Sequence, residues 1–361
     1  MKVQIGIGHP AHVHFYKNFI MEMKQRGHEC TIVARDKEVT VYLLNRLGLP
    51  YDLFAKHKKS LSGKFLEIPV NDYIFYQRYR KSGADLFTGI NDYSSAHLGW
   101  LTRKPSLIFT DTEGVKFGDL STFPFATKIC TPSAFLDDLG KKQVRYNGYH
   151  ELAYLHPNYF TPDPGIYDDL GLSRQDRFII VRFISWAASH DISLKGIEKS
   201  AVMGFIRRLG EYGRVYVSSE GTPVPELRPY LLSVPPEKLH SLLSYASLYI
   251  GEGGTMAAEA AILGTPSIHV EADAKGRPTG SFCGNFIELH HKYGLLSYYP
   301  DQAQALEQAC TILETGDPKK EWGRRRERLL ADKIDVTAWM VRFVEQFAEG
   351  GDAAGDRKIR T

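Results

Sequence analysis

No apolar run in this 361-residue chain approaches the ~20 residues that a membrane-spanning helix needs. Cysteine is scarce: Cys30, Cys130, Cys283 and Cys310 are scattered, with no Cys-x-x-Cys pair. That spacing argues against a zinc site or a disulfide framework and fits a reducing compartment. A dominant charge sign is missing as well. Lys and Arg number 45 against 42 Asp and Glu, a net charge of +3, so nothing points to nucleic acid as a partner. No internal repeat is visible. Met1-Lys2 runs straight into an apolar strand without a signal peptide, so the expected location is the cytoplasm.

What remains is an ordinary globular composition, 43% hydrophobic and 24% charged, in a chain longer than one core usually serves. The pattern is strand–helix–strand throughout, which implies parallel sheets. Val3–Ile7 reads as a buried strand, 8–14 as a loop, Phe15–Arg26 as a helix and Cys30–Ala34 as the next strand. Later strands are expected at Leu86–Gly89 and Ser106–Phe109. The proline- and aromatic-rich stretch Gly148–Gly165 looks like an interdomain crossing. A second alternating series begins at Phe178–Arg182 and includes a helix over Gly196–Leu209. The expected domains are 1–155, 156–331, a helix over 332–348 that packs back across the junction, and a disordered tail over 349–361, rich in Gly, Ala and charge.

The most informative stretch is Leu248–Asp273, LYIGEGGTMAAEAAILGTPSIHVEAD. A short apolar strand is broken by Gly251, Gly253 and Gly254. Thr255 is placed to cap the alanine-rich helix that follows, and Gly264-Thr265-Pro266 ends it. A glycine turn at a helix start presents N–H groups at the positive end of the helix dipole, a seat for phosphate. Glu259, a turn further on, can accept from a ribose diol. Other polar clusters follow predicted strands: His9, His12 and His14; Asn91-Asp92; Asp111 and Glu113; Arg182 to Asp191; Ser219-Glu220. Ligands of parallel sheets lie beyond the carboxyl ends of the strands, so these clusters line one expected rim.

The segments HPAHVHF (9–15), GHECTIVARD (27–36), FTDTEG (109–114), SWAASHD (185–191) and GEGGTMAAEAAILGTPSI (251–268) together resemble domain-of-unknown-function family 354, which is similar to GT-B nucleotide-sugar enzymes. Two better-known relatives share the Gly-rich turn and a Glu five residues before a Gly-x-Pro. They are the non-hydrolysing UDP-N-acetylglucosamine 2-epimerase and the transferase that adds N-acetylglucosamine to lipid I. The resemblance implies an α/β, GT-B-type fold: two Rossmann-like doubly wound domains facing a central cleft. It implies that Gly253, Gly254 and Thr255 hold a diphosphate and Glu259 the ribose, and Ser219 and Glu220 match the place where these enzymes begin to hold the nucleotide. Arg182, at a strand end on the expected rim, is a candidate to neutralise the diphosphate. On the acceptor side, His12 or His14 matches a candidate base, and a neutral imidazole can take up such a proton. Glu113 matches an active-site carboxylate of the epimerase, whose second acid falls here on Asn91, with Asp92 beside it. His190-Asp191 is a candidate hydrogen-bonded pair or acid/base element, and Trp186 is a candidate to stack on a sugar or to pack.

The leading expectation is a metal-independent, UDP-sugar- or other NDP-sugar-dependent glycosyltransferase of surface-glycan or glycolipid assembly. It needs no cofactor and acts on a glycan or lipid-linked acceptor. His12, His14, Asp111, Glu113 and His190 are its catalytic candidates. A 2-epimerase using Asp92, Glu113 and His190, and a non-catalytic sugar-nucleotide sensor, are the alternatives. A homodimer and a peripheral contact of the Arg324-Arg325-Arg326 face with anionic lipid are compatible with each.

Overall fold

A computed structural model describes residues 1–54, 61–114, 116–184, 194–198, 200–219, 224–316 and 318–348; for 61–66, 116–118 and 348 it describes the backbone alone. Trp186, His190, Asp191, Glu220 and the 349–361 tail therefore lie outside the described residues. The chain divides into two compact units. The first comprises Met1–Tyr154 with the terminal stretch from Ile334; the second is Leu155–Lys333.

The first unit holds strands β1 (Lys2–Ile7), β2 (Glu29–Arg35), β3 (Asp52–Phe54), β4 (Leu86–Ile90), β5 (Ser106–Phe109), β6 (Lys128–Pro132) and β7 (Gln143–Tyr146). They form one sheet in the order β3-β2-β1-β4-β5-β6-β7, and every pairing is parallel. The second unit holds β8 (Phe178–Phe183), β9 (Arg214–Ser219), β10 (Leu248–Gly251), β11 (Ser267–Val270) and β12 (Leu296–Tyr299), ordered β12-β11-β10-β8-β9 and again all parallel. Parallel strands must be covered on both faces, and their sequences are accordingly near-continuous apolar runs. Phe178-Ile179-Ile180-Val181 is wholly buried, as are Ile5, Leu107 and Ile108 in the first sheet. Each sheet thus has a point where chain order reverses: between β1 and β4 in the first unit, and between β8 and β10 in the second. In such sheets that reversal opens a crevice at the strands' carboxyl ends.

The structure corrects several boundaries. The first helix spans Pro10–Gln25, so 8–14 is not a loop, and His12 and His14 sit on helical turns. His9 is the N-cap: its ring accepts from the Ala11 N–H at 3.2 Å, and Pro10 at the first helical position has the required φ and no N–H to leave orphaned. The helix expected from Gly196 begins only at Val202. Lys195 instead exchanges two backbone hydrogen bonds with Ala272, at 2.9 and 2.8 Å, which holds the chain extended there. A helix over Lys116–Thr122 and strand β12 were not expected from the sequence. No helix among the described residues is long and apolar enough to cross a membrane.

Two glycines shape the first crevice. Gly6 of β1 is paired with Gly89 of β4, and the Asp92 side chain lies against both. A Cβ on Gly6 would fall 1.8 Å from Asp92 Oδ2, and one on Gly89 2.5 Å from Asp92 Cβ. We expect Gly6→Ala to cost about 1–3 kcal/mol by displacing that carboxyl. Denaturant unfolding would read it, and an unchanged midpoint would contradict the packing described.

Candidate functional site

In the second unit the site is built where β8 and β10 end. Gly251 is in register with Arg182, and Arg182 with Ser218. Beyond Gly251 the chain turns at Gly253 (φ 86°, ψ 121°), a left-handed backbone that suits glycine, and enters the helix Gly254–Ile262. Gly253, not Thr255, is therefore the N-cap, because the turn needs its positive φ; Thr255 is the second helical residue. Gly253 has no side chain, so nothing caps this helix from that position. Gly254 and Thr255 are exposed, leaving first-turn N–H groups accessible. The Arg182 Nε lies 3.7 Å from the point where a Gly253 Cβ would stand, and its guanidinium donates to Ser218 Oγ at 2.8 Å. Ser219 Oγ, one residue on, is buried with no hydrogen-bond partner among the described residues. Arg182, Ser219, Gly253, Gly254 and Thr255 thus belong to one end of one sheet.

Glu259 is placed differently from a surface ribose ligand. It is 3% exposed, and Oε1 lies 3.1 Å from His240 Nε2, a ring equally buried on the preceding helix Leu239–Tyr245. The pair ties the two helices together behind the glycine turn. Glu252, which sequence reasoning passed over, is 1% exposed. Its Oε2 accepts from the Ile184 N–H and its Oε1 from the Ile197 N–H, both at 2.7 Å. One carboxylate therefore grips the chain on either side of 185–196. Gly196 leaves room for it, since a Cβ there would fall 2.0 Å from Oε1. The acidic residue inside Gly251-Glu252-Gly253 was the available signal.

In the first unit a cavity of about 230 Å³ opens at the β1/β4 reversal, lined among others by His12, Arg35, Phe54, Phe75, Asn91 and Asp92. A larger hollow of about 870 Å³, bordered by Met1, Asp85, Pro105 and Thr127, lies at the opposite, amino-terminal ends of the strands, where parallel sheets do not bind ligands. His12 Nδ1 accepts from the Gly8 N–H at 3.2 Å, so the neutral ring carries its proton on Nε2. Burial, reinforced by neighbouring His9 and His150 and only partly offset by Asp111, pushes its pKa down to about 3. Burial likewise pushes the Asp92 carboxyl up to about 6, against the opposing hydrogen bond from Ser95 Oγ at 2.5 Å. Asp111 Oδ2 lies 3.1 Å from His150 Nδ1. Burial, the largest single effect, works against the Asp111 charge, but His150, the Thr112 hydroxyl and His12 together outweigh it and hold the carboxyl below its ordinary range. His150 was also missed; it hides in the segment read as a crossing, and its Nε2 is buried without a partner among the described residues.

His14 faces elsewhere: it is buried with its ring 5.5 Å from that of Tyr154. Glu113 accepts from the Leu136 N–H at 3.1 Å. His12, Asp111 and His150 are thus brought together, whereas the partners observed for His14 and Glu113 belong to other segments. Among the described residues no group of His, Cys, Asp and Glu has the geometry of a metal site.

The fold is similar to those of sugar-nucleotide enzymes. A Listeria monocytogenes structure provisionally assigned as UDP-N-acetylglucosamine 2-epimerase superposes with a TM-score of 0.66 at 12% identity, covering 98% of each chain. S. aureus MnaA in complex with UDP gives 0.65 at 12% identity, covering 97% of each. The kitacinnamycin glycotransferase gives 0.60 at 12% identity, over 96% of this chain and 98% of its own. These likenesses establish a GT-B-type α/β fold. At the sequence level, an uncharacterised protein of Methanocaldococcus jannaschii is 23% identical over 290 residues, 74% of this chain and 81% of that protein. The model of the protein family of unknown function DUF354 matches residues 1–275, and the chain belongs to that family.

Proposed function

We propose that the protein is a nucleotide-sugar-dependent glycosyltransferase whose second unit binds the donor and whose first unit binds a glycan or lipid-linked acceptor. One observation carries the reading: the exposed start of the Gly254–Ile262 helix, with no side-chain cap from Gly253 and the Arg182 guanidinium beside it, at a sheet's reversal point. The amides of Gly254 and Thr255 and the Arg182 cation would take the diphosphate and stabilise the charge that develops on it as the sugar leaves, without calling on a metal. Ser219 would hydrogen-bond the nucleotide, joined by Glu220 as the resemblance implies. The resemblance assigns the ribose to Glu259, which would have to serve it with Oε2, since Oε1 lies against His240. In the first unit Asp111 would orient His150, whose Nε2 then has a free lone pair for the acceptor hydroxyl proton; His12, neutral at working pH, would donate from Nε2 to the same oxygen. His14, Glu113 and His190 stay in the proposal as supporting residues. The four free cysteines suit a cytoplasmic setting.

Calorimetric titration with UDP and other nucleoside diphosphates tests this. We expect binding that falls about ten- to a hundredfold in Arg182→Ala, the worth of a charge-assisted contact. No diphosphate binding, or binding indifferent to Arg182→Ala, would overturn the reading. UDP binding that survives His12→Ala, with no turnover of any donor–acceptor pair, would mark a sensor instead. A 2-epimerase is favoured by one observation, the carboxyl of Asp92 with its pKa near 6 in the same cavity as His12. Incubation with UDP-N-acetylglucosamine and no acceptor separates it, because only an epimerase forms the 2-epimer.

A further inference from the structure

The first-unit cavity contains a cation that none of the steps above uses. Arg35 is the last residue of β2, paired in register with Phe54, and its guanidinium carbon sits 5.1 Å from the centre of the Phe54 ring. Among the described residues its Nε is buried without a hydrogen-bond partner and no carboxylate forms an ion pair with it. A buried guanidinium N–H left unserved is costly, more so than a neutral one. Across the same cavity Asn91 is held at φ 46°, where non-glycine residues are uncommon, and its Oδ1 is buried with no partner among the described residues. The cavity thus offers a charged donor and a neutral acceptor, both unsatisfied, beside the rings of Phe54 and Phe75. Its volume, about 230 Å³, is below the range of about 300–1,000 Å³ that houses drug-sized ligands, so it suits a single sugar ring.

We propose that this cavity binds an acidic sugar, Arg35 clamping a carboxylate or phosphate on one hexose-sized ring while Asn91 accepts from an adjacent hydroxyl. A planar guanidinium fits such anions with two parallel bonds, which a hydroxyl cannot supply. Phe54 and Phe75, both buried, give the cavity an apolar wall beside the bound ring. Of the other titratable groups of the cavity, His12 is uncharged and donates and Tyr93 is a neutral phenol. Asp92, charged above about pH 6, is the one lining group that opposes an anion, and it is turned to Ser95 and tucked against Gly6 and Gly89. The inference rests on the reading that the first unit takes the acceptor, and it narrows that acceptor to an anionic one.

The full chain is titrated with glucuronate, glucose 6-phosphate and glucose, with UDP titrated in parallel on every variant. We expect at least one acid to bind about tenfold or more tightly than glucose, a preference lost in Arg35→Gln and partly kept in Arg35→Lys, while UDP affinity stays at the parent value. Which acid binds separates a carboxylate from a phosphate. Equal binding of glucose, a preference that survives Arg35→Gln, or no acid binding at all overturns the inference. If these failures come with Arg182-dependent UDP binding, only the acidic acceptor falls. If acids bind through Arg35 and UDP does not bind, the transferase reading falls and the anion site stands.

Discussion

Replacing Glu252 with alanine is expected to destabilise the second unit by about 3 kcal/mol or more. The substitution removes a buried carboxylate that accepts from two backbone donors, Ile184 N and Ile197 N, at 2.7 Å each. Each N–H stranded away from water costs about 1–3 kcal/mol, and hydrogen bonds to a charged acceptor are the stronger kind. For a domain of this size the loss corresponds to a fall in melting temperature of about 6–12 °C. Glu252→Gln keeps the shape and one accepting oxygen but turns an NH2 group towards the second donor, so about half the loss is expected. Glu252→Asp cannot span both amides and should resemble the alanine variant. Because the two amides flank 185–196, UDP affinity should fall even at temperatures where the variant remains folded. Calorimetric unfolding with and without UDP reads both effects. A Glu252→Ala protein within about 1 kcal/mol of the parent would show that this clamp does not hold the unit together.

Asp92→Asn is expected to do the opposite and stabilise the protein at pH 7. Burial raises the Asp92 pKa from 3.8 to about 6. The folded state then binds more protons than the unfolded chain between those two values, so this group's contribution to stability declines as pH rises through that window. Above about pH 6 the full penalty is present, some two pKa units or about 3 kcal/mol. Asparagine still accepts from Ser95 and carries no charge to bury, so the variant should gain up to about 3 kcal/mol at pH 7 and nothing near pH 4. His12 and His269 impose the reverse trend. Burial lowers their pKa values to about 3 and about 4, and each therefore weakens the fold as pH falls below 6.5. Both are present in parent and variant, and the difference between the two proteins isolates Asp92. Urea midpoints measured at the two pH values decide it. A variant no more stable than the parent at pH 7 would mean the carboxyl is better served than the fold suggests. A stabilising loss of a cavity-lining acid would also mark Asp92 as a residue kept for function rather than for the fold.

The alternation of apolar strands and amphipathic helices, the near-continuous hydrophobic runs of Phe178–Val181 and Ser106–Phe109, and the glycine turn at 251–254 were legible in the sequence, because period, propensity and backbone permissiveness are local properties. So was the rim on which the polar clusters fall, since a parallel sheet leaves little choice about where its loops gather. The start of the first helix was not legible, because nothing local separates a capping His9 from the other histidines of the 9–14 cluster.

Pairing is another matter, and only the tertiary structure decided it. Nothing local joins Asp111 to His150, Glu259 to His240, or Glu252 to Ile184 and Ile197, because each pair is distant in the chain and meets only through the strand order. The same holds for Arg35. Along the sequence it is one more basic residue after a strand; beside Phe54 and opposite Asn91 it becomes a buried donor without a partner. Sequence determines which groups exist and which elements carry them. Burial and long-range contact determine which of those groups are charged, which are satisfied, and which are left facing a cavity, because desolvation and hydrogen bonding depend on what surrounds an atom rather than on what precedes it.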